Sequence, residues 1–211
     1  MGLFGNKSTR EGKAAGKIAG AADSERGAAT HRLTLDLSRA HTLAAMLANS
    51  RSSEFIEIPD LVAGMYMYEW DRLSEYWPEE KRDEMEDVLR EMCNISPQRW
   101  NSWIQQYDTR RKGDSRSRWE KLKVLRRNKP EEENPPRHST ALRLLFKTAG
   151  EFTPFRETSE GRDIPILTTE CLLLCIAQTG GLEIGKRLRE TGLDVELLER
   201  AALDPKRSPR R

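Results

Sequence analysis

What this chain of 211 residues has little of narrows it first. Its three cysteines, Cys93, Cys171 and Cys175, form no even, regularly spaced framework, and no metal-type spacing joins them to the three histidines His31, His41 and His138. A small secreted fold held by disulfides is thereby excluded, and a reducing cytoplasm is the expected location. No apolar run reaches the length of a membrane span, and Met1 to Gly5 lacks the basic segment and long apolar stretch of a secretory signal, so a soluble protein without a membrane partner is expected. Asn6 stands where a myristoylation motif at Gly2 needs Ser or Thr. Only 36% of the residues are hydrophobic while 33% are charged, which implies a good share of solvated tail and linker beside the core. The histidines are scattered, no Ser-His-Asp or Cys-His pattern can be read from them, and nothing in the chain demands a metal, a cofactor or catalysis.

What is present is helical periodicity. Leu33, Leu37, Ala40, Ala44 and Leu47 share one helical face, and Tyr66, Trp70, Leu73 and Trp77 another that Pro78 ends. Met85, Val88, Leu89 and Met92 follow at helical spacing, and Trp100, Trp103, Ile104 and Tyr107 repeat it, with Ser96 as a cap and Pro97 as a first helical residue. Trp119, Leu122 and Leu125 give a weaker stripe. No alternating strand of useful length stands out, so the fold class predicted is all-α. Lys7 to Ala29 is Gly, Ala, Ser and charge without period, a flexible basic tail matched by Pro205 to Arg211, and Asn128 to His138 reads as a proline-rich, glutamate-rich linker.

The most informative stretch runs from Ile166 to Leu203. Thr168 or Thr169 can cap a first short helix that Gly180-Gly181 breaks, and Gly192-Leu193-Asp194 separates a second helix from a third. Gly180 to Lys186 also spells G-x-x-x-x-G-K, the start of a P-loop. Arg187, however, replaces the Ser or Thr that would hold magnesium, and too little chain follows for the rest of such a fold.

Thr169-Glu170, Leu172 to Leu174, Gly180, Leu188, Gly192 to Asp194 and Leu197-Leu198 resemble the second half of one repeat of the Clp ATPase N-terminal (Clp R) domain family. A fainter copy lies upstream. Ala40 to Ala44 is similar to the first helix of the family repeat, and Ile58 to Met65 to the start of its second, with Pro59 where the family has Glu. The resemblance implies a helical bundle of two imperfect repeats: 31–95 as the first, 96–127 as inserted helices, 128–138 as a linker and 139–204 as the second, between tails 1–30 and 205–211. It also implies a free-standing, non-enzymatic module that binds proteins, with a Clp-type AAA+ unfoldase or its substrates as partner. In some family members the Thr-Glu glutamate of each repeat binds phosphoarginine. Only Glu170, beside Thr169, carries that residue over, and the candidate partner-binding set is Glu170, Thr169, Trp100 and Trp103.

An ordinary role competes at each position. A carboxylate in the first turn of a helix, like Glu170, gains ~0.3–1 kcal/mol from the helix dipole without any ligand. Cys171 and Cys175, one turn apart, fit an apolar helix face, and tryptophans at helical spacing fit a core. A rival function rests on charge. Arg110, Arg111, Lys112, Arg116, Arg118, Lys121, Lys123, Arg126, Arg127 and Lys129 stand against only Asp114 and Glu120, a net +8 that could follow a nucleic-acid backbone. Glu69 to Glu91, with ten acids and four bases, carries −6 and could neutralise that segment within the chain.

Overall fold

The computed structural model describes residues 31–107, 135–159 and 161–204. The tails 1–30 and 205–211, the basic segment from Arg110 to Lys129 and the Trp119 stripe lie outside the described residues. Those described form a mostly helical molecule with a small mixed sheet. In chain order they run β1 (Arg32–Leu33), α1 (Leu35–Ser50), β2 (Phe55–Ile56), α2 (Ile58–Leu73), α3 (Arg82–Met92), α4 (Pro97–Tyr107), β3 (Arg137–His138), α5 (Thr140–Phe152), β4 (Arg156–Ser159), β5 (Arg162–Leu167), α6 (Thr169–Gln178), α7 (Glu183–Glu190) and α8 (Val195–Leu203).

Local chemistry sets most of these boundaries. Thr34 and Ser139 cap α1 and α5, their hydroxyls accepting from Leu37 N and Leu142 N. Thr168, not Thr169, caps α6, and Asp194 caps α8 at 2.8 Å from Leu197 N. Pro97 opens α4 behind Ser96. Gly181 and Gly192, both at φ +87°, make the two turns that bound α7. At α2 the reciprocal cap comes from Glu57 and Asp60, with Glu57 N donating to Asp60 Oδ2 at 2.9 Å. Asp60 is fully buried, and Arg51 answers its charge at 2.6 Å.

The strands depart from the all-α expectation. β4 and β5 form an antiparallel hairpin turning at Gly161, φ +74°, and two short parallel pairs join distant parts of the chain. The hairpin escapes a period-2 reading because Ile164, Pro165, Ile166 and Leu167 are all apolar and β4 is polar throughout. β3 also shows that 128–138 is not linker to its end, since Arg137 and His138 pair with Phe55 and Ile56. A strand of two residues carries no periodicity from which it could be read.

The two parallel pairs are reciprocal. β1, just before α1, pairs with the end of β5, just before α6: Arg32 with Ile166 and Leu33 with Leu167. β3, just before α5, pairs with β2, just before α2: Arg137 with Phe55 and His138 with Ile56. Thr34 N then donates to Leu167 O at 3.0 Å, and Ser139 N to Ile56 O at 3.1 Å. Four helices follow each leading strand among the described residues, α1 to α4 and α5 to α8. One apolar core runs through both sets, from Leu37 and Tyr66 to Leu172 and Leu198. Trp77 Nε1 donates to Thr191 Oγ1 at 3.1 Å, and Asp194 N to Tyr76 O at 2.9 Å, closing the end of α2 against the α7–α8 turn.

Candidate functional site

The residues singled out in the sequence meet where the N-terminus of α6 abuts the C-terminal turns of α2. Every residue of α6 from Thr169 to Ala177 is buried, so Thr169 and Glu170, in its first turn, point into protein. Opposite them α2 loses helical geometry at Glu69, φ −117° and ψ 19°, and this kink brings Glu69 and Arg72 to the α6 terminus. Thr169 Oγ1 donates to Glu69 Oε1 at 2.6 Å. Arg72 lies 3.4 Å from Glu69 Oε2, and its other terminal nitrogen forms an ion pair with Glu170. Two buried carboxylates thus share one guanidinium whose side chain remains 40% exposed.

Electrostatics follow from that count of charges. Burial pushes Glu69 up to about 7; the Thr169 hydrogen bond and the Arg72 charge oppose the shift, and the charges of Asp36 and Glu170 add to it. Burial works against the Arg72 cation as well, but Glu170 and Glu69 together hold it above the ordinary range. Glu170 is therefore a carboxylate already occupied by the chain's own arginine. Sequence reasoning missed Glu69 and Arg72. Their only signal was position, an acid between Tyr68 and Trp70 on the apolar stripe and a base three residues on.

The other candidates lie apart from this cluster. Trp100 is buried, stacked 6.3 Å from Tyr66, with its indole N–H 3.4 Å from Glu86 Oε2, so it belongs to the core. Trp103 is half-buried against the same core. Cys171 and Cys175 are buried with the thiol of Cys171 directed at Ala149 O. The P-loop-like run sits between two helices rather than after a strand, and Lys186 on α7 faces Glu190 at 3.8 Å. Arg110, Arg111, Lys112, Arg116, Arg118, Lys123, Arg126 and Arg127 lie outside the described residues.

The fold also gathers the histidines that look scattered in the sequence. His41 Nε2 and His138 Nε2 are 2.7 Å apart, and His31, His41 and His138 all pack around Phe146, with ring centroids 5.1, 6.3 and 5.3 Å from it. At that nitrogen separation one ring donates and the other accepts, so the pair holds a single proton between its facing nitrogens. Among the described residues no group of three or more His, Cys, Asp or Glu is placed to hold a metal ion, and no helix is long and apolar enough to cross a membrane. Set beside protein-family models, curated proteins and solved structures, the chain matches none of them.

Proposed function

We propose that this chain is a non-enzymatic docking module made of two imperfect repeats of the Clp N-terminal type, acting in a reducing compartment on a Clp-type AAA+ unfoldase or its clients. The observation that carries the reading is the reciprocal strand exchange: each repeat lends its leading strand to the other, with the same register on both sides. On this reading α4 is the fourth helix of the first repeat and answers α8, so the first repeat extends through Tyr107 and the insertion begins after it. Three buried free thiols suit the compartment. The resemblance gives Glu170 a guanidinium ligand, and here the Arg72 guanidinium fills that place, so phosphoarginine reading is not part of the proposal.

The test is direct mixing of the purified chain with a purified Clp ATPase ring. Co-elution on size exclusion, with a change in the ring's ATP turnover, is the expected result. Failure to co-elute, together with retardation of RNA or DNA that disappears as salt rises, would transfer the function to the basic segment between Arg110 and Lys129.

A further inference from the structure

The outward face of α5 exposes two large apolar side chains at positions whose counterparts on α1 are buried or held by α2. Aligning the caps Thr34 and Ser139, which follow strands of matching register, places Leu144, Thr148 and Phe152 where α1 has Arg39, Leu43 and Leu47. On α1, Leu43 and Leu47 are buried and the Arg39 guanidinium is held by the Tyr68 hydroxyl of α2. On α5, Leu144 and Phe152 are 62% and 63% exposed, with Thr148 half-buried between them.

The second helix of each half differs beside these positions. α1 and α2 cross at Ala40 and Gly64, where a Cβ on Gly64 would run into the Ala40 carbonyl, so the two backbones touch. The matching positions on α5 and α6 hold Leu145 and Cys175, both buried and both larger than the Ala40 and Gly64 they correspond to. α6 has 10 residues against 16 in α2, and it ends at Gln178, before the position that matches Tyr68. The residue that holds Arg39 on α1 therefore has no helical counterpart beside Leu144 on α5.

Charge says what kind of cover fits. Arg143 and Lys147 flank Leu144 on the same exposed side, and among the described residues neither side chain has an ion-pair or hydrogen-bond partner. The bases of α3 and α7 are satisfied by contrast: Arg90 by Asp87, Lys186 by Glu190 and Arg187 by both oxygens of Glu91. Glu151 is the one acid on the exposed side of α5. Leu144 and Phe152 stand two turns apart, roughly 12 Å at 1.5 Å per residue, a spacing that apolar residues at i and i+7 of another helix can meet.

We propose that this face of α5 is a docking surface for an acidic amphipathic helix of a partner protein. Leu144 and Phe152 are its apolar anchors, and Arg143 and Lys147 select the acidic flank. The inference rests on the docking reading of the fold but not on the identity of any ring.

The experiment titrates the full chain against two synthetic helical peptides followed by fluorescence anisotropy. Both carry Leu on one face, one with Glu and the other with Lys on the flanks, and phosphatidylglycerol vesicles serve as a third arm. The Glu peptide should bind about tenfold or more tighter than the Lys peptide. Pairing Leu144→Asp with Phe152→Asp should weaken it about tenfold or more, and Arg143→Glu with Lys147→Glu should weaken it and flatten its salt dependence. All four positions are exposed, so circular dichroism of both double variants should match the parent. Equal binding of the two peptides, no loss in either double variant, or binding to vesicles but not to the Glu peptide would overturn the proposal. Loss of ring binding with retained peptide binding would count against the ring partner alone.

Discussion

Glu69 shows how a single side chain can report the packing of two elements a hundred residues apart. The acid sits at the kink of α2, takes a hydrogen bond from Thr169 and is pushed up from 4.5 to about 7 chiefly by burial. A raised acid weakens the fold as it ionises: below about pH 4.5 the proton is held in both folded and unfolded chains, and between 4.5 and 7 only the folded chain holds it. Stability should therefore fall as pH rises through that window, and Asp60, also raised by burial, adds to the fall above its ordinary 3.8. Glu69→Gln keeps an acceptor for Thr169 and removes the ionisation. Urea denaturation should find it more stable than the parent by about 1–3 kcal/mol at pH 8, with little difference at pH 4.5. Arg72→Met should act in the opposite direction. It leaves Glu170 buried without its cation, for a cost of roughly 2 kcal/mol, moderated because Arg72 is partly solvated. Glu170 was legible in the sequence as a first-turn acid, because capping and dipole effects act over a few residues. The partner that decides its chemistry lies in another helix and left no local mark.

Among the elements, the helices were readable and the strands were not. Thr168, one of the two caps the sequence offers for α6, accepts from the nitrogen three residues on, and Thr34, Ser139 and Asp194 do the same at helix starts that periodicity alone did not mark. The hairpin of β4 and β5 has one strand apolar on both faces toward its end and the other polar on both, so the alternation that marks a half-buried strand is absent. The depth of helix packing was equally invisible, since Gly64 announces a close approach only once Ala40 is known to face it. Gly64→Ala should cost about 3 kcal/mol in denaturant-measured stability, because the obstacle is backbone rather than a side chain that can rotate. Gly180→Ala, with nothing within 4 Å of the new Cβ, should shift stability by less than ~0.5 kcal/mol and serves as the control.

At the scale of the whole molecule, the exchange of leading strands ties the halves together. Among the described residues β1 pairs only with β5, and β3 only with β2, while Trp77 to Thr191 and Arg187 to Glu91 add links at the far end. Neither half pairs its own leading strand among the described residues, and the one apolar core draws on both halves. Fragments 1–120 and 121–211 should each lack a cooperative thermal transition in circular dichroism. Mixed at equal concentration, they should recover helical signal and one concentration-dependent transition. Independent, cooperative folding of either fragment would show that the exchange is incidental to stability.

By itself the sequence determined that the chain is mostly helical, which residues share several of the inward faces, and that Cys171 and Cys175 fit an apolar helix face, because those properties depend on residues within about one turn of each other. It also placed Thr169 and Glu170 at a helix start. Tertiary structure alone decided that Glu170 meets Arg72, that Thr169 meets Glu69 and that three scattered histidines surround Phe146. It alone decided, too, that Leu47 is buried on α1 while Phe152, at the matching position of α5, is exposed. Each of those outcomes joins residues far apart in the chain, and contacts of that kind are chosen by the packing of whole helices against one another, a competition to which no local pattern is sensitive.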